Sequence, residues 1–233
     1  MAEGERSGRG EAEIYDDAVW TDGDFEVITT ADNVRFRVPS FHLFSSSAVL
    51  RNAHSVANGA KCKITFTDPD CETADIFRLF LGLASKGRLL AAWTLDPVRQ
   101  LVMFLDKYEC IQARRLFSSR FEIEIRRSGT RAHDLFLVAA AIGDTSLCRL
   151  ILTRQAKQVW GKPREGTKAK PLDGTPGWCV WDCRHWPSST WNCGVPNKYL
   201  FALARAFGQG GSSKPLADEF ERYLGLVESS NAL

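Results

Sequence analysis

Alternating apolar and polar positions predict three short β-strands in the first part of the chain. Residues 25–30 are rich in β-branched side chains, residues 31–33 have the composition of a turn, and residues 34–38 alternate strictly between apolar and charged side chains. A period of two places every second side chain on the same face of a sheet, so this segment predicts a hairpin with one buried face. Residues 63–67 alternate in the same way and predict a third strand.

Apolar residues at helical spacing predict helices around and after these strands. A helical stretch opens after a proline and runs from Ser40 to Ala53. A second helix follows Asp70, which is expected to be its N-cap, and ends at Gly87. Asp96–Pro97 begins a third helix, and a fourth runs over residues 110–121. The expected core positions are Phe41, Phe44, Ala48, Leu50, Ile76, Phe77, Phe80, Leu83, Val98, Leu101, Val102, Leu105, Tyr108, Ala113, Leu116 and Phe117.

The second half of the chain shows helical periodicity without strand-like alternation. One helix ends at Gly143, and Asp144 or Thr145 is expected to cap the helix that follows. The apolar face of the first of these helices consists of Leu135, Phe136, Ala139 and Ile142. Two further helices close the chain, one stopped by Gly208 and the other opened by Pro215.

The order of these elements predicts an α+β domain with an all-helical extension. We expect residues 1–13 to be a disordered tail, because they are rich in Gly, Glu, Arg and Ser and show no periodicity. The α+β domain is assigned to residues 14–125 and the helical region to residues 126–233. The helical region includes a loop at about residues 160–196, where Trp, Gly and Pro are frequent.

Composition and charge narrow the possible classes of protein. Of 233 residues, 44% are hydrophobic and 25% are charged, which is typical of a globular chain. The net charge of +2 does not predict broad electrostatic binding to nucleic acid or acidic membranes. The chain has no signal-peptide core and no stretch near the roughly 20 apolar residues of a membrane span. We therefore expect a cytosolic or nuclear protein whose seven cysteines are free thiols.

Two kinds of ligand site were considered in the second half of the chain. Cys179, Cys183, His185 and Cys193 are four residues of the type that structural zinc binds, although their spacing is irregular. Trp178, Trp181, Trp186 and Trp191 lie among them, and aromatic packing accounts for the segment equally well. The basic segment 154–170, with six bases against Glu165, could contact nucleic acid or could simply be a solvated loop.

Catalysis is not indicated by the sequence. Cys110 or Cys148 could act with His133, but a nucleophile needs a base within hydrogen-bond reach, and both cysteines lie in apolar helical contexts. His54 and His133 lie at the ends of elements, where surface residues are expected. The glycines at 208–211 lack the Lys and Ser/Thr of a phosphate-binding loop, and no cofactor is expected.

Four segments in the first half of the chain follow one family pattern in order. The first three are Trp20-Thr-Asp-Gly-Asp24, Phe36 to Asn52 (FRVPSFHLFSSSAVLRN) and Phe66-Thr-Asp-Pro69; the fourth is 101–108, with its Lys107-Tyr108 end. They resemble the BTB/POZ family of fungal type over about 100 of the 233 residues. The signature matches without a gap at Phe36, Val38, Leu43, Ser47, Val49 and Arg51. Pro39 replaces a family histidine, and Leu50 replaces a family aromatic residue.

The resemblance implies a short sheet flanked by a cluster of helices and a non-catalytic function in protein binding. Dimers of this family usually use an N-terminal helix and the first helices, which map here to about Ile14–Trp20 and Pro39–Arg51. We therefore expect the chain to bind proteins through self-association or as a scaffold with a partner surface, with Tyr15, Trp20, Phe41 and Phe44 as interface anchors. Cullin adaptors of the family carry a hydrophobic-x-Glu motif after the second helix, and residues 53–60 contain no Glu, which argues against an adaptor function.

Overall fold

The computed structural model describes residues 13–56, 62–87, 95–127, 132–155, 180–182, 186, 194–208 and 215–230. Within these residues the fold is α+β, as predicted, with a four-stranded mixed sheet and nine helices. The chain packs into two compact units. Unit 1 comprises Met1–Leu90 and Met103–Leu116, and unit 2 comprises Ala91–Val102 and Phe117–Leu233. The tail expected at 1–13 lies outside the described residues except for its last residue.

The sheet belongs to unit 1. Its strands are β1 (Tyr15–Thr21), β2 (Phe25–Thr29), β3 (Val34–Val38) and β4 (Lys63–Phe66), in the order β1-β3-β2-β4. β2 and β3 form the predicted antiparallel hairpin, and Asn33 in its turn takes a left-handed φ of 54°. β4 pairs in parallel with β2, and β1 pairs in parallel with β3 at the opposite edge.

The segment that the resemblance maps to an N-terminal helix is a strand, so that expectation is wrong. β1 contains Tyr, Val, Trp and Thr, which favour extended backbone. The edge of β3 that does not pair with β2 also offers backbone partners, beginning with Val34 opposite Tyr15. The register shifts between Asp16 and Thr21, so β1 follows β3 with an irregularity in its middle.

Unit 1 contains the helices α1 (Ser40–Ser46), α2 (Ala48–Val56) and α3 (Ala74–Lys86). The single helix predicted from Ser40 to Ala53 is two helices, because Ser47 takes an extended conformation with a φ of −129° and its hydroxyl accepts the Leu50 N–H at 3.1 Å. Phe41, predicted to be a core residue, is 70% exposed. Leu43 is the buried residue of α1, and positions two apart lie on nearly opposite sides of a helix.

Helix α3 carries four of the apolar core positions that the sequence predicts for unit 1. Ile76, Phe77, Phe80 and Leu83 are all buried, as expected. The N-cap, however, is Thr73 rather than Asp70, since the Thr73 hydroxyl accepts the Ile76 N–H. Asp70 lies in the turn before it. Gly87 ends the helix in a left-handed conformation, with a φ of 57°.

Two helices, α4 (Leu95–Lys107) and α5 (Ile111–Arg127), begin in one unit and end in the other. The remaining helices of unit 2 are α6 (Ala132–Ala141), α7 (Thr145–Gln155), α8 (Asn197–Gly208) and α9 (Leu216–Ser230). Helix α6 is apolar on all sides and buried from Leu135 to Ala140, which makes it the central helix of this unit. The Phe136 ring contacts Trp181 at 5.7 Å and Phe220 at 5.6 Å.

His133, expected at the surface, is buried, and that expectation is wrong. Its ring meets the edge of Trp186 at 4.7 Å, so a residue 53 positions later in the chain covers it. Trp186 in turn donates its indole N–H to the Val180 carbonyl at 2.8 Å. Trp181 and Trp186 of this segment are both buried, which agrees with aromatic packing at these two positions.

Candidate protein-interaction surface

The segment from Trp20 to Asp24 carries the chain from β1 to β2 across the end of β3. A Cβ atom added at Gly23 would lie 2.2 Å from the Val38 carbonyl carbon and 2.6 Å from the Pro39 nitrogen. Only glycine permits so close an approach of two backbones. Asp24 then accepts the backbone N–H of Ser40 at 2.7 Å and its hydroxyl at 2.6 Å, which tethers the start of α1. The hydrogen bonds from Ser40 hold the pKa of Asp24 below its ordinary value.

This crossing brings Trp20 of β1 to the beginning of α1. The His42 ring lies 6.1 Å from Trp20, edge on, and 5.6 Å from Phe41. Trp20 and His42 are half-buried, whereas Phe41 is 70% exposed. We call these three residues, Trp20, Phe41 and His42, the aromatic surface. Two of the four expected anchors, Trp20 and Phe41, therefore both lie next to the His42 ring.

Phe44, the third expected anchor, is packed within unit 1. Its ring stacks on His54 of α2 at 4.7 Å and meets the edge of Phe25 at 5.4 Å. It is half-buried, and the carboxylate of Asp24 acts electrostatically on the His54 beside it. Phe44 therefore stabilises the packing of α1 on α2 and β2.

Tyr15, the fourth expected anchor, stands apart from the aromatic surface. It lies at the start of β1, opposite Val34, and donates its hydroxyl to Glu13 at 3.3 Å. Trp20 is five residues further on, in the stretch between Asp16 and Thr21 where the register shifts. Val19, which sequence reasoning missed, is 70% exposed on the same strand. His42 was expected to be a packed or surface histidine rather than a ligand, and the structure packs it, half-buried, against Trp20 and Phe41.

β1 is tied to the rest of unit 1 by Asp17, a buried carboxylate. One oxygen accepts the backbone N–H groups of Val19 and Trp20 at 2.9 Å each, and the other accepts Nε of Arg78 at 2.7 Å. Burial by itself would raise the pKa of Asp17, but these hydrogen bonds outweigh burial and hold the pKa below its ordinary value. Asp17 therefore connects β1 to α3 as a charged group.

We expect Asp17→Ala to lower the free energy of unfolding by about 1–2 kcal/mol, because three donors lose their acceptor. Hydrogen exchange should show faster exchange of the β1 amides. The matched control is Asp16→Ala, since the neighbouring Asp16–Arg35 pair is exposed and should contribute little. Equal effects of the two substitutions would contradict the importance of Asp17.

Unit 1 also contains a buried polar network centred on Glu72, which sequence reasoning missed. The carboxylate is 3% exposed. It accepts the backbone N–H groups of Thr67 at 2.6 Å and Asp68 at 2.8 Å, and the hydroxyl of Tyr108 at 2.6 Å. The Nζ atom of Lys107 lies 2.6 Å from the same carboxylate. Glu72 thereby fastens the turn before α3 to the end of α4.

Burial and the hydrogen bonds of this network shift the pKa values of Glu72, Lys107 and Tyr108. Burial would raise the pKa of Glu72, but the hydrogen bonds from Lys107, from Tyr108 and from the backbone of Asp68 and Thr67 together hold the pKa below its ordinary value. Hydrogen bonds to Asp68 and Glu72 raise the pKa of Lys107. Burial, with the Glu72 carboxylate beside it, raises the pKa of Tyr108. Near neutral pH each group therefore keeps one protonation state, which suits packing rather than proton transfer.

Ser47 extends the network to the helices that support the aromatic surface. Its hydroxyl donates to the Tyr108 carbonyl at 2.6 Å while it caps α2 through the Leu50 N–H. Ser47 belongs to the second segment of the family pattern, and Lys107 and Tyr108 belong to the fourth. Residues that lie 61 positions apart in the sequence thus meet in one hydrogen-bonded cluster.

The cysteines considered as nucleophiles are buried thiols. Burial raises the pKa of Cys110 to about 12 and raises that of Cys148 well above its ordinary value. The thiolate is the nucleophilic form, so neither group is poised to react.

The remaining site predictions fall largely outside the described residues. Cys179, Cys183, His185 and Cys193, considered for zinc, all lie there, as does the basic segment beyond Gln155. In the described ranges no cluster of three or more His, Cys, Asp or Glu side chains could hold a metal ion. No helix in that part of the chain has the length and apolar character needed to cross a membrane.

No family model, curated protein or solved structure matches the chain. The resemblance to the BTB/POZ pattern therefore stands on the residues quoted above. Of the signature residues, Phe36, Val38, Leu43 and Ser47 are buried, and Arg51 is exposed. The Phe36 ring meets the edge of Phe77 of α3 at 4.9 Å, which packs the hairpin on that helix.

Proposed function

We propose that this chain is a non-catalytic protein-interaction module of BTB/POZ type that associates with a second copy of itself through the aromatic surface. The order of elements in unit 1 supports the proposal: a hairpin, a helix pair, a strand beside the hairpin and a further helix. The hydrogen bond from the Ser47 hydroxyl to the Tyr108 carbonyl also supports it, because it connects the second and fourth segments of the family pattern.

The observation that carries the proposal is the exposure of Phe41 beside Trp20 and His42. Burying a Phe side chain contributes about 2–3 kcal/mol, and large aromatic residues dominate interface energies. Phe41 contributes nothing comparable to its own fold, since 70% of it remains exposed. A second protein surface that covers Phe41 would gain this energy.

The charges around the aromatic surface favour a second copy of the chain as the partner. Asp22 follows β1 and is exposed, and Arg37 of β3, opposite Thr21, is exposed as well. In a two-fold dimer the same patch meets itself, so a rim that carries both signs can place acid against base. A strongly acidic or strongly basic partner would meet a like charge on one side.

The experiment is sedimentation equilibrium at about 1–50 µM protein. We expect the unaltered chain to dimerise and Phe41→Ala to weaken the dimer at least tenfold, which is about 1.4 kcal/mol. The matched control is Phe201→Ala, because Phe201 of α8 is 47% exposed and lies outside the proposed surface. A strict monomer over this range, or equal effects of both substitutions, would refute the proposal.

A further inference from the structure

His42 lies at the centre of the aromatic surface. Its ring contacts Trp20 at 6.1 Å and Phe41 at 5.6 Å, and its backbone N–H donates to the Pro39 carbonyl. Among the described residues the imidazole has no hydrogen bond or ion pair. Histidine is the side chain whose charge ordinarily changes between pH 5 and 8.

None of the charged groups on the neighbouring elements forms an ion pair with His42 in the described structure. The carboxylates of β1 and of its connection to β2 are Asp16, Asp17, Asp22 and Asp24. Asp16 is paired with Arg35, Asp17 is paired with Arg78, and Asp24 is bound by Ser40. Asp22 forms no ion pair with His42 in the described structure. The cations on β3 and α2 are Arg35, Arg37 and Arg51, and Arg35 is paired with Asp16.

We propose that His42 makes the association of two copies pH-dependent, so that the dimer forms while His42 is neutral and dissociates when it is protonated. This inference rests on the proposed self-association through the aromatic surface. A two-fold contact places one His42 from each copy in the same apolar interface. Each proton would then place a charge among the aromatic rings of the contact and remove part of its hydration, which disfavours the dimer.

His54 provides a contrast within the same unit. It also stacks on an aromatic ring, that of Phe44, but the Asp24 carboxylate acts electrostatically on it. It lies beside Phe44 and Phe25 rather than in the aromatic surface. His54→Gln is accordingly the matched control for His42→Gln.

The test compares dimer dissociation constants at about pH 7.5 and about pH 5.5, at constant ionic strength, for the unaltered chain and both variants. We expect the unaltered chain to dissociate at least tenfold more readily at the lower pH. His42→Gln should reduce this change to less than about threefold, whereas His54→Gln should retain it. Circular dichroism at both pH values verifies folding, and His42→Phe replaces His42→Gln if the latter fails to fold.

The outcomes separate this inference from the proposed function. A dimer whose dissociation constant is the same at both pH values overturns the role of His42 and leaves self-association standing. Loss of the pH dependence in His54→Gln, with its retention in His42→Gln, also overturns that role. Absence of a dimer at every pH overturns both proposals.

Discussion

Replacement of Glu72 by alanine is expected to lower the free energy of unfolding by about 3 kcal/mol. The substitution removes the acceptor of two backbone N–H groups and of the Tyr108 hydroxyl, all at the buried carboxylate. It also removes the partner of Lys107, although that ion pair is partly screened because the Lys107 side chain is 42% exposed. Urea denaturation followed by circular dichroism measures the effect.

The control for Glu72 is another carboxylate of the same turn. Asp70 is exposed, and in the described structure its side chain forms no hydrogen bond or ion pair. We expect Asp70→Ala to change the free energy of unfolding by less than about 0.5 kcal/mol. A loss on Asp70→Ala as large as that on Glu72→Ala would contradict the particular importance of Glu72.

The effect of Glu72 should depend on pH in a defined direction. Its pKa is lowered in the folded chain, so its contribution is complete above the unfolded pKa of about 4.3 and is lost as pH falls through the folded value. The difference in stability between the unaltered chain and Glu72→Ala should therefore shrink between about pH 5 and pH 3. A difference that does not change over this range would show that charge has no part in the effect.

Replacement of Gly23 by alanine should destabilise unit 1 by about 3 kcal/mol. The new Cβ would lie 2.2 Å from the Val38 carbonyl carbon and 2.5 Å from its oxygen, and both are backbone atoms that cannot rotate away. The crossing segment would have to move, and with it Trp20 and the Asp24 tether of α1. Thermal unfolding measures the loss, and the dimer should weaken as well.

A second glycine serves as the control for Gly23, because it has the opposite expected sign. Gly225 lies within α9, and a Cβ added there meets no atom within 4 Å. Gly225→Ala should therefore stabilise the chain by about 0.5–1 kcal/mol, through the higher helix propensity of alanine. Destabilisation of similar size by both substitutions would show that Gly23 does not require its close approach.

The hairpin and the helix stops were predictable because short-range chemistry controls them. The alternation over residues 34–38 gives the segment one apolar and one polar face, as a half-buried strand requires. The structure has β3 at Val34–Val38. Gly87 takes the left-handed conformation that terminates α3, and Asp144 accepts the Leu147 N–H at the start of α7. Each of these outcomes depends on a few neighbouring residues.

The candidate surface was predictable only in part. Trp20 and Phe41 were expected together, and the structure places them on either side of His42. Tyr15 was grouped with them, yet it lies at the other end of β1. Phe41 was also expected in the core, because helical spacing cannot reveal that Ser47 interrupts the helix and that Leu43 takes the buried side.

Local pattern determined the class of fold, the hairpin, the apolar stripe of α3 and the presence of exposed aromatic residues near α1. Tertiary contacts decided that residues 15–21 form a strand, that Glu72 is a buried acceptor and that His133 lies beneath Trp186. The physical reason is that burial and hydrogen bonding depend on residues far apart in the chain. Glu72 and Tyr108 are 36 positions apart, and no local sequence pattern around either residue indicates that they form a hydrogen bond with each other.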